Sequence, residues 1–277
     1  MKTKQLLREK VWFPGIDNLV KTSIERCLPC QSVGAPENPA QLCTVEIPKH
    51  PWDTVYVDFL GPFPNNLLLL VMIDGRTRYP EVDVVRNTSA TSTIRSFEKT
   101  FAKHGLPNTI ISNNGPPFTS HKLKSYMQSN KVSHRKITPL WLQENAEAEN
   151  FMKPLKKCVQ TAYIEKKDWQ TELQQFLLNY RATPHLTTQV APATALFGRT
   201  IRTKLPSVPS TVVDMRALNN DIDRADREAK EKRNTYANKR HCTKEPSFNL
   251  DDQVLVRQPK RNKLTPRFDP RPYIPGI

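Results

Sequence analysis

Acidic side chains at two places in the sequence could hold divalent metal ions. Asp58 lies in the middle of TVYVDFLGP, an otherwise apolar and β-branched segment, where a charge is costly unless it is paired or metal-bound. Glu147 and Glu149 open the helical segment that follows Trp141. Hard cations prefer carboxylate oxygens, and two such cations usually support polynucleotidyl transfer. These residues are therefore candidates for that chemistry.

Each of these acidic positions also has a structural interpretation. Asp58 could pair with an Arg or a Lys at the edge of a strand. Acids in the first turn of a helix favour the helix dipole, which is sufficient reason for Glu147 and Glu149. The residue types alone leave the metal site and the structural roles both open.

The segments around these residues predict a layered α/β domain. Three consecutive segments predict strands: Thr54 to Pro62 and Leu67 to Gly75, both buried on two faces, and Tyr79 to Val85, half buried. Strands followed by alternating helices and strands indicate a mixed sheet. The later elements are a helix at Thr91 to His104, a strand at Asn108 to Gly115, a helix at Lys122 to Asn130, a strand at Val132 to Thr138, a helix from near Glu144 with a kink or break at Pro154, and a helix at Trp169 to Tyr180. A loop that contains Pro184 and Pro192 follows.

The overall charge favours a polyanionic partner. The 277 residues include 42 Lys plus Arg against 27 Asp plus Glu, a formal net charge of +15. Nucleic acid is the simplest such partner, and a basic protein without one is the alternative. The most apolar run, Leu67 to Ile73, is the size of a strand, and the N-terminus lacks the apolar core of a signal peptide. We therefore expect a soluble, intracellular chain, and five cysteines, an odd number, do not predict a disulfide scaffold.

Several segments, in order along the chain, resemble the integrases of gypsy-type LTR retrotransposons. They are VDFLGP around Asp58, ISNNGPPF (Ile111 to Phe118), HRKITPLWLQENAEAENFMKPLKK (His134 to Lys157), KTKQLLREKVWFPG, CLPCQ, IDGRTRYPEV, LLNYRATPH, APATALFGR and DDQVLVRQPKRNKL. The resemblance covers most of the chain. It implies an RNase H-like catalytic core whose reaction is metal-dependent 3′-end processing and strand transfer of DNA.

The resemblance implies three catalytic carboxylates, and the middle one is substituted in this chain. The family has Asp in the first strand, here Asp58, a second Asp before Asn-Gly in a turn, and a Glu thirty-five residues later. The second position is Asn113, and positions 114 to 148 separate it from Glu149, so the register is kept. An amide is neutral and offers one oxygen. We therefore expect impaired Mg²⁺ or Mn²⁺ binding and loss of catalysis, unless Glu147 substitutes.

Two further differences from the family lie in the third motif. Ala146 stands where the family usually has Gly, and Asn150 stands where it usually has Arg. The family's Arg is a cation that could contact phosphate, and Asn150 removes that cation.

The two ends of the chain match only parts of the family's terminal domains. Cys27 and Cys30 correspond to the cysteine half of a tetrahedral Zn²⁺ site, but the first histidine, His50, follows them. We do not expect a complete zinc site. The C-terminal segment resembles the opening strand of an SH3-like barrel and is too short for the whole barrel. The predicted organisation is a zinc-domain remnant (1–32), a linker (33–50), the RNase H-like core (51–205), a linker with a charged, solvated helix (206–248) and a partial SH3-like segment (249–277).

By resemblance, a set of polar and basic residues would contact DNA. Lys153 follows Glu149 on the same helix face, although pairing of these two charges in a solvated face is the alternative. The set comprises Gln143, Asn145, Lys153, Lys156, Lys157, Arg257, Lys260, Arg261 and Lys263. The expected partners are DNA and further copies of the chain, in the nucleus and without a membrane. A DNA- or chromatin-binding host protein with an inert fold, or a non-functional relic, are the alternatives.

Overall fold

A computed structural model describes residues 2–34, 46–63, 66–137, 146–206, 214–241, 243, 252–258 and 262–274. The chain divides into two compact units. One comprises Met1–Cys43 together with Arg233–Ile277, and the other comprises Thr44–Lys232. The predicted domain boundaries remain predictions.

A five-stranded mixed sheet forms the centre of the larger unit. Its strands are β1 (Thr54–Leu60), β2 (Leu68–Asp74), β3 (Pro80–Val85), β4 (Thr109–Ser112) and β5 (Ser133–Lys136), in the order β3-β2-β1-β4-β5. β1 pairs antiparallel with β2 and parallel with β4, while β2–β3 is antiparallel and β4–β5 is parallel. The mixed sheet predicted from the sequence is confirmed.

Helices cover both faces of this sheet. Successive strand residues point to opposite sides, so the strands present apolar side chains to the helices on each face. Val55 and Val57 face α4 (Ala90–His104) and α5 (His121–Ser129) in one core cluster. Leu69, Val71 and Ile73 of β2 face α6 (Ala146–Ile164) and α7 (Trp169–Ala182) in a second cluster. Burial on two sides explains why β1 and β2 are apolar at nearly every position.

Two helical features differ from the sequence prediction. α6 runs as a single helix from Ala146 to Ile164 with Pro154 inside it, so of the kink or break expected at Pro154 the break is absent. A short helix, α8 (Pro192–Phe197), occupies a segment predicted as a loop. Pro192 lies in its first turn, where the missing N–H of proline removes no helical hydrogen bond.

The charged C-terminal helix is partly buried, so its prediction as a solvated helix is wrong. α9 spans Met215–His241. Ile222, Asp226 and Lys230 recur every four residues and are 0%, 2% and 7% exposed. This spacing places them on one helix face. A prediction from hydrophobicity alone misses this buried face, because two of its three residues are ionic.

The smaller unit contains three short helices near its N-terminus: α1 (Lys2–Arg8), α2 (Ile16–Arg26) and α3 (Leu28–Val33). In its C-terminal part, the strand predicted between Asp251 and Lys260 is reduced to two isolated antiparallel bridges, Val254 with Tyr273 and Arg257 with Phe268, among the residues described there. A two-stranded ribbon alone is marginally stable.

Candidate active site

The sheet brings Asp58 and Asn113 together. β1 and β4 run parallel with Val57 opposite Ser112, so the next residue of each chain segment lies side by side. The Nδ2 atom of Asn113 donates a hydrogen bond of 2.9 Å to Oδ1 of Asp58. Both side chains are half-buried. Two of the three positions predicted from the resemblance are thus in direct contact.

The turn after β4 fixes the orientation of the Asn113 amide. The backbone N–H of Gly115 donates to Oδ1 of Asn113 at 2.9 Å, which leaves Nδ2 facing Asp58. A Cβ at position 115 would lie 3.1 Å from the same Oδ1, so glycine allows this close approach. The amide therefore presents N–H groups, and not an oxygen, toward Asp58.

The helix that carries Glu149 packs on the same face of the sheet. Ala148 is buried in a cluster with Tyr56 and Ile111. By strand alternation, Asp58 and Asn113 point to the side of Tyr56 and Ile111. The first turn of α6 consequently lies over the β1–β4 pair, and Glu149, which is half-buried, stands in that turn.

Glu147 forms an ion pair with a buried arginine. Its Oε2 lies 3.2 Å from Nη1 of Arg78, a side chain only 3% exposed. A carboxylate that balances a buried guanidinium is expensive to remove from it. This contact gives Glu147 a structural role that differs from the helix-dipole interaction suggested by its place in the first turn.

A polar pair, in which Ser112 is buried and His134 is half-buried, lies at the end of β4. The Ser112 hydroxyl and Nε2 of His134 on β5 are 2.8 Å apart, and the Ser112 hydroxyl also lies 3.0 Å from the backbone oxygen of Asn113. Burial, and then the charge of Lys136, lower the pKa of His134. A neutral imidazole at this position keeps the strand ends in register without adding charge to the site.

The residues present do not fit a two-metal carboxylate centre. Adjacent divalent cations need several anionic oxygens, but the amide of Asn113 is neutral and turns its NH₂ toward Asp58. Its one oxygen accepts the N–H of Gly115. No group of three or more His, Cys, Asp or Glu side chains in the described part of the chain is arranged to hold a metal ion.

The zinc prediction concerns the smaller unit. Cys27 and Cys30 are both free thiols, and Cys30 is exposed. The Cys30 backbone N–H, and then its thiol, lower the pKa of Cys27, whereas the neighbouring Cys27 raises the pKa of Cys30.

Part of the predicted DNA-contacting set lies in the described chain. Lys153, Lys156 and Lys157 are exposed on α6, and Nζ of Lys153 donates to Oδ1 of Asn150 at 3.1 Å. Arg257 and Lys263 are exposed in the smaller unit. Gln143, Asn145, Lys260 and Arg261 lie outside the described residues. The exposed lysines of α6 are accessible to an anion.

Two arginines for which no role was predicted connect neighbouring elements of the larger unit. Arg76 and Arg78 follow β2 in the DGRTRYP segment, and both are nearly fully buried. Arg76 donates to the backbone oxygen of Pro48 and bonds to Asp223 of α9. The sequence offers one indication that these side chains are buried, namely two arginines close together in a turn between two apolar strands.

The fold of the chain is similar to that of a chain in a viral intasome. The chain is similar to one from a cryo-EM structure of the simian T-cell lymphotropic virus intasome in complex with PP2A regulatory subunit B56 gamma, with a TM-score of 0.56, 16% sequence identity and coverage of 70% of each chain. At this identity the likeness establishes the fold alone. It confirms the mixed α/β fold class expected from the sequence.

Sequence comparison decides the family. The chain is 35% identical over 206 residues to an uncharacterized protein of Caenorhabditis elegans, which covers 74% of this chain. It is 23% identical over 207 residues to the retrovirus-related Pol polyprotein from transposon 412 of Drosophila melanogaster, covering 72% of this chain. The chain is an LTR-retroelement integrase-like protein. This integrase-like chain spans 16% and 17% of the length of these two relatives.

No family model matches the integrase-like chain. None of the helices in its described residues is long and apolar enough to cross a membrane.

Proposed function

We propose that this integrase-like protein, of the gypsy type, binds DNA and has lost metal-dependent strand transfer. The observation that carries the proposal is the hydrogen bond from the Asn113 amide to Asp58, in the register where the resemblance implies a carboxylate. In the family this position adds a negative charge that helps to bind a divalent cation. Here the Asn113 amide instead donates a hydrogen bond that occupies a lone pair of the Asp58 carboxylate. The ancestral reaction would use Asp58 and Glu149 with Mg²⁺ or Mn²⁺.

Strand-transfer activity tests the loss of catalysis. The assay uses oligonucleotide DNA ends with Mg²⁺ or Mn²⁺ and compares the unchanged chain with Asn113→Asp. Glu149→Gln serves as the blank. We expect the unchanged chain to equal the blank and Asn113→Asp to regain activity. Activity of the unchanged chain above the blank would contradict the proposal, because another group would then supply the third ligand.

DNA binding is supported by the net charge of +15 and by the exposed lysines on α6. Neutralised phosphates release counterions, so affinity should fall with salt, with a slope of about −0.9 for each phosphate contacted. Because no metal takes part in such contacts, EDTA should leave the affinity unchanged. This metal-independent mode also agrees with the alternative of a host DNA- or chromatin-binding protein located in the nucleus.

A matched pair of double variants tests whether α6 carries the binding surface. Lys156→Gln/Lys157→Gln removes two charges from α6, and Lys122→Gln/Lys124→Gln removes two exposed charges from α5, which packs on the other face of the sheet. Fluorescence anisotropy of a labelled duplex should show weaker binding and a salt slope reduced by about 1 to 2 for the α6 variant alone. Equal effects of both variants would mean that charge acts without a defined face. Light scattering with and without DNA would measure whether copies of the chain assemble.

A further inference from the structure

Arg78 connects three elements of the larger unit through one buried guanidinium. It lies in the turn after β2 and is 3% exposed. Its Nη1 is 3.2 Å from Oε2 of Glu147 on α6, and its Nη2 is 3.0 Å from Oδ1 of Asp226 on α9. The planar fork of arginine suits such a double contact, which the single ammonium of lysine cannot reproduce. Two helices therefore share one anchor on the sheet.

The anchor belongs to a cluster of ionic side chains that are mostly buried. Asp226 is 3% exposed at its side chain and also contacts Nζ of Lys230 at 2.5 Å. Among the described residues, these three contacts join the cations of Arg78 and Lys230 to the carboxylates of Glu147 and Asp226. Removing one member leaves an uncompensated buried charge, which is the strongly destabilising case for buried ion pairs. The cluster can persist only while both helices stay in place.

The turn that carries Arg78 is held by its own backbone hydrogen bonds. Arg78 has a φ of 63°, in the left-handed region that non-glycine residues seldom adopt. Its N–H donates to the backbone oxygen of Asp74, and the N–H of Asp74 donates to the backbone oxygen of Tyr79, at 3.0 Å in both cases. The Nε of Arg78 has no hydrogen-bond partner among the described residues. Arg78 therefore occupies this position in spite of an unfavourable backbone conformation and an unsatisfied buried N–H.

We propose that Arg78 is a positioning residue that makes the placement of the α6 head depend on the docking of α9. Glu147 and Glu149 stand in the same turn of α6, so the anchor of the first sets the location of the second. An event that draws α9 away from the sheet leaves Arg78 paired with Glu147 alone and loosens the turn that bears Glu149. The coupling does not require the site to be catalytic.

Hydrogen exchange of backbone amides in the full chain tests this coupling. Asp226→Asn removes the α9 partner of Arg78. Asp223→Asn makes the same change one turn earlier, where the partner is Arg76. We expect exchange of the amides at 150–153 on α6 to accelerate on the order of tenfold or more in Asp226→Asn, because local opening becomes easier there. Asp223→Asn should leave these amides within about twofold of the unchanged chain.

The reverse perturbation gives a second, independent readout. Because coupling between two sites is reciprocal, Glu147→Gln on α6 should accelerate exchange of the amides at 226–230 on α9. Arg78→Lys, which keeps the charge and loses the fork, should accelerate both regions. The proposal is overturned if Glu147→Gln leaves α9 unchanged, if Asp223→Asn affects α6 as strongly as Asp226→Asn, or if all amides of the unit accelerate together.

Discussion

Replacing Asn113 with aspartate should make the stability of this protein depend on divalent metal. In the variant, a carboxylate oxygen takes the place of the amide nitrogen, which lies 2.9 Å from Oδ1 of Asp58. The hydrogen bond between the two side chains is lost and replaced by repulsion between like charges. A divalent cation between the carboxylates would reverse that repulsion.

The size of the effect follows from the geometry. Each charge is spread over two oxygens, so the charge centres lie about 4 Å apart, where two unit charges repel by about 4 kcal/mol at an effective dielectric constant of about 20. Both side chains are half-buried, so solvent screening reduces this to roughly 1–2 kcal/mol. The lost hydrogen bond adds about 1 kcal/mol. The total of about 2–3 kcal/mol corresponds to a melting temperature lower by roughly 4–12 °C for a unit of this size.

Thermal unfolding with EDTA or with Mn²⁺ measures this response. Mn²⁺ at a concentration about one hundred times its Kd contributes about 2.7 kcal/mol, which would recover most of the loss in Asn113→Asp. The unchanged chain should shift by about 1 °C or less. Adding Glu149→Gln to Asn113→Asp should reduce the Mn²⁺ response if Glu149 is the third ligand. The reasoning is refuted if Mn²⁺ stabilises the unchanged chain as much as the variant, or if the variant in EDTA melts with the unchanged chain.

Three further predictions concern the support of the site. Gly115→Ala should displace the Asn113 amide, because the new Cβ would lie 3.1 Å from Oδ1 of Asn113. The free energy of unfolding in urea should fall by about 1 kcal/mol, and an unchanged midpoint would contradict this. Burial lowers the pKa of His134, so the unfolded chain binds more protons as the pH falls below the ordinary value of 6.5, and stability should decrease there. His134→Gln should weaken that decrease in melts between pH 7 and 5, and an identical profile would exclude His134 as a cause. Leu155→Ala, at a site that is 0% exposed on α6, should cost about 2–5 kcal/mol, whereas Tyr163→Ala, at 67% exposure on the same helix, should cost less than about 1 kcal/mol in the same urea titration.

The elements of the sheet were predictable because their signals are local. β-branched and apolar runs with terminal turns placed all five strands to within one or two residues at most ends, and the spacing of Ile94, Phe97 and Phe101 indicated α4. α8 was missed because Pro192 was interpreted as part of a loop. In a six-residue helix the first turn is half of the element, so periodicity carries little information.

The candidate site was predictable only in part. The charge inside an apolar strand identified Asp58, and the resemblance located Asn113, but the hydrogen bond between them depends on the parallel pairing of β1 and β4. Arg78 was missed for a similar reason. Its partners Glu147 and Asp226 lie far along the chain, and Asp226 sits in a helix whose charged residues suggested full solvation. Contacts between distant charged residues leave no periodic pattern in the sequence.

The parallel pairing of β1 with β4 also determines when the site can form during folding. Asp58 and Asn113 are 55 residues apart in sequence, whereas β1, β2 and β3 follow one another as antiparallel neighbours. Closing the longer loop has the higher entropic cost, so the three-stranded meander should form before β4 joins it. During synthesis the carboxylate of Asp58 is therefore hydrated at an open strand edge first, and meets Asn113 only after α4 and β4 have been added.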